Sequence, residues 1–267
     1  MKNVVKLLVV LGLVATGTAA MADWGAPLKW NQFDNTDPHG RTIQTWFSSN
    51  PSQGQLVADD FLCTQTGWIN ELRVRGHDDD YNFGVKVYIW ADVPTTSNDE
   101  SHPGTLLKSW NLGKADAGDP HKIGWSDAGN GEYRINLPEN DWFMQEGTSA
   151  NPIIYWVGVQ AHHDILGIEQ FHWNYRDNLQ NDNPNPTDIH NLDDAVVWDA
   201  ALGSWKHLGA WYNEDWFNGN HWEFTSYTGT LPAGYRSVDM EFQVYGTPEP
   251  ASLVLLAAAS FVLRRRR

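Results

Sequence analysis

Indole is the conspicuous chemical group of this chain, with 15 tryptophans in 267 residues. The segment 205–227 carries Trp205, Trp211, Tyr212, Trp216, Phe217, Trp222 and Tyr227, interleaved with Asn213, Glu214, Asp215, Asn218, Asn220, His221 and Glu223. Flat aromatic faces beside carboxylates and amides are what sugar recognition requires. The C–H faces of a pyranose stack on indole, and polar neighbours bond its hydroxyls. Trp205, Trp211, Tyr212, Trp216 and Trp222 are therefore candidate glycan-binding residues, with an extracellular polysaccharide as the partner. The same rings would also serve to pin a long loop onto the body of the protein as a satellite cluster. The segment reads as too irregular for a strand and too aromatic for a flexible linker.

Oxygen-rich turns are a second chemical resource. His77-Asp78-Asp79-Asp80, Asp34-Asn35-Thr36-Asp37 and Asp193-Asp194 offer hard oxygen ligands of the kind calcium takes, about six to eight at a time. Asp78, Asp79 and Asp80 are the candidate calcium ligands, and calcium is the one candidate cofactor. None of these turns has EF-hand spacing, and Asp and Asn are also the ordinary formers of solvated turns. The ten histidines are scattered. His162-His163 are neighbours that a strand would point to opposite faces, and there is neither an H-E-x-x-H nor a Cys/His pair with zinc spacing.

Covalent catalysis finds no motif. There is no G-x-S-x-G elbow, and Cys63, the single cysteine, shares strand parity with Phe61 and reads as a small buried hydrophobe. The glycine-rich stretch 124–131 lacks a following Lys-Ser/Thr and reads as a turn rather than a phosphate cradle. Paired carboxylates for glycoside hydrolysis stay open among 33 acidic residues. The chain reads as non-enzymatic, with a secreted carbohydrate-active enzyme or carbohydrate-binding module as the alternative.

The elements that must position these groups are strands. Val85, Val87, Ile89 and Ala91 alternate with Lys86, Tyr88, Trp90 and Asp92, the two-residue period of a half-buried strand. Tyr133, Ile135 and Leu137 repeat the pattern, as do Val238, Met240, Phe242 and Val244 against Asp239, Glu241, Gln243 and Tyr245. Ile153–Ala161 is apolar on both faces and predicts a central strand, with Trp156 in the core. Further strands are expected at Gln55–Cys63, Trp68–Gly76, Thr105–Leu112, Gln170–Tyr175 and Ala195–Asp199. Turn-forming clusters fill 94–104, 113–131 and 176–194. Many short strands and no sustained helical stripe predict an all-β fold. The expected form is an antiparallel β-sandwich or jelly-roll-like single domain over residues 23–246, with long loops.

The two ends read as addresses. Residues 1–22 place Lys2 and Lys6 before the apolar run Leu7–Ala15 and finish Ala20-Met21-Ala22, the order of a secretory signal peptide cut before Asp23. The export translocon and signal peptidase are the partners this implies. Residues 247–267 hold Pro248, Glu249 and Pro250, the 13-residue apolar run Ala251–Leu263, and Arg264, Arg265, Arg266 and Arg267. As a helix that run spans about 20 Å against a hydrocarbon core of about 30 Å, and the arginines would stay on the cytoplasmic side. Without Lys2, Lys6 and Arg264–Arg267 the 18 basic residues fall to 12 against 33 acidic ones, a net charge of −21. Such a surface repels phosphate backbones, so nucleic acid is not an expected partner. With one cysteine no internal disulfide is possible, and an ordinary core must hold the body.

The triplet Pro248-Glu249-Pro250, then Ala251-Ser252, a short apolar helix and a terminal arginine cluster resemble the PEP-CTERM sorting signal of exported bacterial proteins. The resemblance covers about the last 20 residues. It implies a bacterial source and an exosortase-type membrane enzyme as processing partner. The implied location is membrane-held at first by the C-terminal helix, then cell surface, extracellular matrix or medium. It implies no activity. Ala58-Asp59-Asp60-Phe61 and Tyr155-Trp156-Val157-Gly158-Val159-Gln160 are similar to strings in an uncharacterised exported bacterial β-sandwich domain, some members of which carry this tail. That resemblance implies a sandwich over residues 30–246 and brings no site residues.

Overall fold

The computed structural model describes residues 27–33, 42–47, 54–77, 84–94, 101–114, 123–162, 171–177, 195–213, 221–227 and 236–248. In chain order the strands begin with β1 (Leu28–Asn31), β2 (Thr42–Gln44), β3 (Trp46–Phe47), β4 (Gly54–Gln55), β5 (Val57–His77) and β6 (Gly84–Val93). They continue with β7 (His102–Gly113), β8 (Gly124–Gly129), β9 (Glu132–Asn136), β10 (Phe143–His162) and β11 (His172–Asp177). The set closes with β12 (Val196–Asp199), β13 (Ser204–Asn213), β14 (His221–Tyr227), β15 (Arg236–Met240) and β16 (Phe242–Pro248). One 3-10 turn, Glu139–Asp141, separates β9 from β10, and the described residues contain no α-helix.

β5 and β10 are the spine, 21 and 20 residues long. They run antiparallel from Ala58↔Gly158 to Ile69↔Phe143. At its first end β5 also pairs with β12, and β10 pairs with β6, so β7-β6-β10-β5-β12-β13-β14 form one run of sheet. At its far end β5 pairs with β9 and β16, and β8-β9-β5-β16-β1 form a second run. Pairing among these named strands is antiparallel except where β3 joins β10. The two runs pack against each other over one core. Phe61 on the first run meets Phe242 on the second edge-on, with ring centroids 6.4 Å apart, and Trp173 meets Phe242 at 6.2 Å. Val85, Val87, Ile89, Val157 and Val159 line that core from one side, and Leu72, Val74, Ile135 and Val244 from the other. The fold is all-β, antiparallel and sandwich-like.

The alternating segments fall where their periods place them. Val85, Val87 and Ile89 are fully buried, as are Ile135 and, nearly so, Tyr133 and Leu137. Ile153–Ala161 is central, held by β5 on one edge and β6 on the other. Cys63 is buried, with Sγ 3.4 Å from the Gln65 carbonyl oxygen, and burial pushes its thiol pKa up.

Several expectations are corrected. Gln55–Cys63 and Trp68–Gly76 are not separate strands, because β5 runs unbroken through Thr64–Gly67 while β10 stays beside it. The turn region 113–131 contains β8, and 94–104 already contains the start of β7. The segment 205–227 is not irregular where it is described: 205–213 and 221–227 lie in β13 and β14, paired from His207↔Tyr227 to Asn213↔His221. The run Val238–Val244 is two strands, interrupted at Glu241.

Asp239 and Glu241 were expected on a solvent face and are buried. The interruption turns Glu241 toward β5 and β11. Its backbone N–H donates to Asn174 O at 2.8 Å, and its carbonyl oxygen accepts from Arg75 N and Trp173 Nε1. Its carboxylate lies 3.8 Å from Arg75 and accepts a hydrogen bond from Asn174. A buried carboxylate persists when paired and hydrogen-bonded in this way.

Candidate functional site

Adjacent residues on a strand point to opposite faces, and the first run of sheet uses this to carry two different surfaces. On β6 the side chains of Val85, Val87 and Ile89 enter the core, so Lys86, Tyr88 and Trp90 lie outward. On β10 Tyr155, Val157 and Val159 point inward, and Trp156, Gly158 and Gln160 point outward. On β5 Asp59 and Phe61 share the inner face, and Ala58 and Asp60 the outer one.

The outer face holds a second apolar cluster, separate from the core. Ala58, Trp90, Trp156 and Val196 are buried in it, and Leu56, Tyr88 and Trp205 pack against it. Its floor is a row of small residues set in register, Gly158↔Ala58 and Ala58↔Val196. The floor leaves room for large rings above several strands. A Cβ on residue 158 would stand 2.8 Å from Cη2 and Cζ3 of Trp90, so only glycine leaves room for that indole. Two register shifts on the β6–β7 ladder bracket Trp90, and bulges beside a site are a usual means of re-aiming a side chain.

Four rings follow one another over this floor. Tyr88 stacks on Trp90 at 5.2 Å, Trp90 meets Trp205 at 5.4 Å, and Trp205 meets its cross-strand partner Trp198 at 5.3 Å. Trp198 is 38% exposed at the open end of the strip. Polar groups border the rings. Trp156 Nε1 donates to Asp92 Oδ1 at 2.9 Å, while the other Asp92 oxygen carries no hydrogen bond among the described residues. Tyr88 donates its hydroxyl to Gln160 Oε1 at 3.0 Å, and Gln160 Nε2 in turn donates to the Gln55 carbonyl. Burial pushes the Tyr88 phenol pKa up to about 12, so it remains a donor at any physiological pH. The Trp90 and Trp205 indole N–H groups have no hydrogen bond among the described residues, and neither is a buried orphan.

The turn beyond Trp198 is held stiff. Asp199 Oδ1 accepts from the backbone N–H groups of Ala201 and Leu202, Gly203 (φ 65°) closes the turn onto Asp199 O, and Lys206 lies 2.6 Å from Asp199 Oδ2. These contacts, the Lys206 one first, hold the Asp199 carboxyl pKa below the ordinary range.

Under this face, pointing inward, sits a different group. Asp59 is fully buried; its Oδ2 accepts from Gln32 Nε2 and Met240 N, each at 2.6 Å, and Oδ1 accepts from Asp60 N at 2.9 Å. Burial first, and then the Asp239 and Asp60 carboxylates, push the Asp59 pKa well above the ordinary aspartate range. Asp59 ties β5 to β15 and to the segment after β1, an architectural role.

Of the sequence candidates, Trp205 is in the strip. Trp211, Tyr212 and Trp222 are strand positions, with Trp211 opposite Glu223 and Tyr212 opposite Trp222. Trp216 lies outside the described residues, as do Asp78, Asp79 and Asp80, Glu249 and Pro250, and Arg264–Arg267. Pro248 ends β16 opposite Gly67. The described residues contain no group of three or more His, Cys, Asp or Glu side chains arranged to hold a metal ion. Tyr88, Trp90 and Trp198 of the strip, and Trp156 of the same cluster, are not among the sequence candidates. The signal available was two rings at i, i+2 on the face of β6 that alternation assigns to water.

No curated protein and no solved structure matches the chain. Residues 28–245 match the family described as domain of unknown function DUF7901, and the chain belongs to that family.

Proposed function

We propose that this is an exported, non-enzymatic protein of the cell surface or extracellular matrix that contacts glycans through the strip Tyr88–Trp90–Trp205–Trp198. The observation that carries the reading is the strip itself: rings assembled from three strands on the outer face, bordered by Asp92 and by indole donors without a hydrogen bond among the described residues. Apolar ring faces with a few convergent polar groups are the composition of a sugar site. Delivery rests on the two ends, the signal peptide of residues 1–22 and the PEP-CTERM-like tail of residues 247–267. The translocon, signal peptidase and an exosortase-type enzyme handle these in turn, and the apolar helix 251–263 holds the body at the membrane until processing. Among the described residues no helix is long and apolar enough to cross a membrane, and 251–263 lie outside them.

Binding of the full chain to a glycan array, beside its Trp205→Ala variant, tests the site. Signal on at least one glycan that disappears in the variant, at an unchanged unfolding midpoint, is the expected result. An array without any signal removes the glycan reading.

A further inference from the structure

The ring angles and the charge narrow the ligand, an inference that rests on the glycan reading above. Tyr88 and Trp90 are nearly parallel, with 17° between their planes. From there the strip turns: Trp90 stands at 81° to Trp205, and Trp205 at 68° to Trp198. A crystalline polysaccharide presents many sugar faces in one plane and needs several indoles coplanar with it. Rings that follow one another edge to face cannot offer that plane. With Trp90 buried, the open end offers Trp205 and Trp198 in turn to one chain that twists past them.

Charge restricts the chain further. The protein carries a net charge of −15, and the face that bears the rings holds the carboxylates of Asp60 and Asp92 against the ammonium of Lys86. Lys206, at the open end, is already paired with Asp199 at 2.6 Å. A uronate or sulfated polymer would be repelled, since like charges brought together cost free energy. The polar groups at hand are mixed, N–H donors on Trp90 and Trp205 and an accepting oxygen on Asp92. A sugar hydroxyl, which both donates and accepts, satisfies such a set.

We propose that the strip takes a single, neutral glycan chain, stacked on Trp198 and Trp205 and bonded through its hydroxyls to Asp92. The test uses the full chain with soluble neutral hexasaccharides (cello-, xylo-, manno- and chito-series), powdered crystalline cellulose, and alginate as the polyanion. Calorimetry reads the soluble ligands and sedimentation the powder. At least one neutral hexasaccharide should bind, with affinity little changed by salt and reduced about tenfold by Trp198→Ala. Asp92→Asn keeps one acceptor and should weaken binding less. Retention on crystalline cellulose without binding of any soluble chain overturns the single-chain inference and leaves the glycan reading intact. Binding to alginate that falls steeply with salt overturns the neutral-ligand inference alone. No binding to any of these overturns the single-chain inference, and silence across the glycan array as well overturns both readings.

Discussion

The outer face over β6, β10, β5, β12 and β13 and the outer face over β9, β5 and β16 belong to one folded sheet and share a strand, yet they meet water with different chemistry. On the second face Arg73 lies 2.5 Å from Glu71 and 3.2 Å from Glu132, and Arg134 lies 3.3 Å from Glu71. Arg73 also covers the ring of Tyr245, whose hydroxyl donates to Gln243 Oε1, and Gln243 donates to Asn31. Every group there is turned toward a protein neighbour, as on the solvent side of an ordinary sandwich. The first face places large rings where charges would serve solubility, and leaves indole donors and a carboxylate oxygen without hydrogen bonds among the described residues. Apolar side chains scattered singly on a surface are normal, whereas contiguous ones mark interaction sites. The difference separates a face whose charges pair with one another from the face that carries the proposed site.

The comparison breaks most severely at Gly158. Gly158→Val puts a side chain into the Trp90 ring, 2.8 Å away at the Cβ alone, and overpacking of this kind costs about 1–3 kcal/mol. A lowered urea midpoint together with loss of glycan binding is expected. Normal binding in a folded variant would separate Trp90 from the site.

Asp59, beneath the aromatic face, gives a pH signature. Its folded pKa is raised, so its contribution to stability is fully present below the ordinary aspartate value of about 3.9 and is lost as pH rises through the folded value. Asp59→Asn does not titrate there. Thermal unfolding from pH 4 to 8 should therefore show the variant gaining on the wild type as pH rises. A constant difference across that range would mean that Asp59 is ionised throughout.

The smallest effect belongs to the charged face. Arg73→Ala removes partly exposed ion pairs worth about 0–1 kcal/mol and should leave glycan affinity unchanged. A drop in affinity would erase the distinction between the faces.

Legibility in the sequence followed contrast between faces. Val85–Ile89 and Tyr133–Leu137 read as strands because one side is aliphatic and the other mixed. β13 did not, because both of its sides are committed: Leu208 enters the core while Trp205 joins the outer cluster and His207 is buried, which erases the two-residue contrast. β5 was divided at Thr64–Gly67, yet β10 pairs with Gln65 and Gly67 there, and ladder pairing outweighs local propensity. The aromatic character of the outer face was legible in the abundance of indole. Its location was not, since Trp90, Trp198 and Trp205 are distant in sequence and meet only through strand order. Buried Glu241 was illegible for the same reason, as its partners arrive from β5 and β11.

Hydroxyl-radical footprinting of the full chain, read by mass spectrometry with and without a bound neutral hexasaccharide, tests the site most directly. Ligand should protect Trp198 and Trp205 from oxidation and leave Trp125 and Trp173, already buried in the core, unchanged. Protection confined to Trp211, Trp216 and Trp222, with Trp198 and Trp205 still oxidised while the sugar is bound, would contradict the assignment of the outer aromatic face.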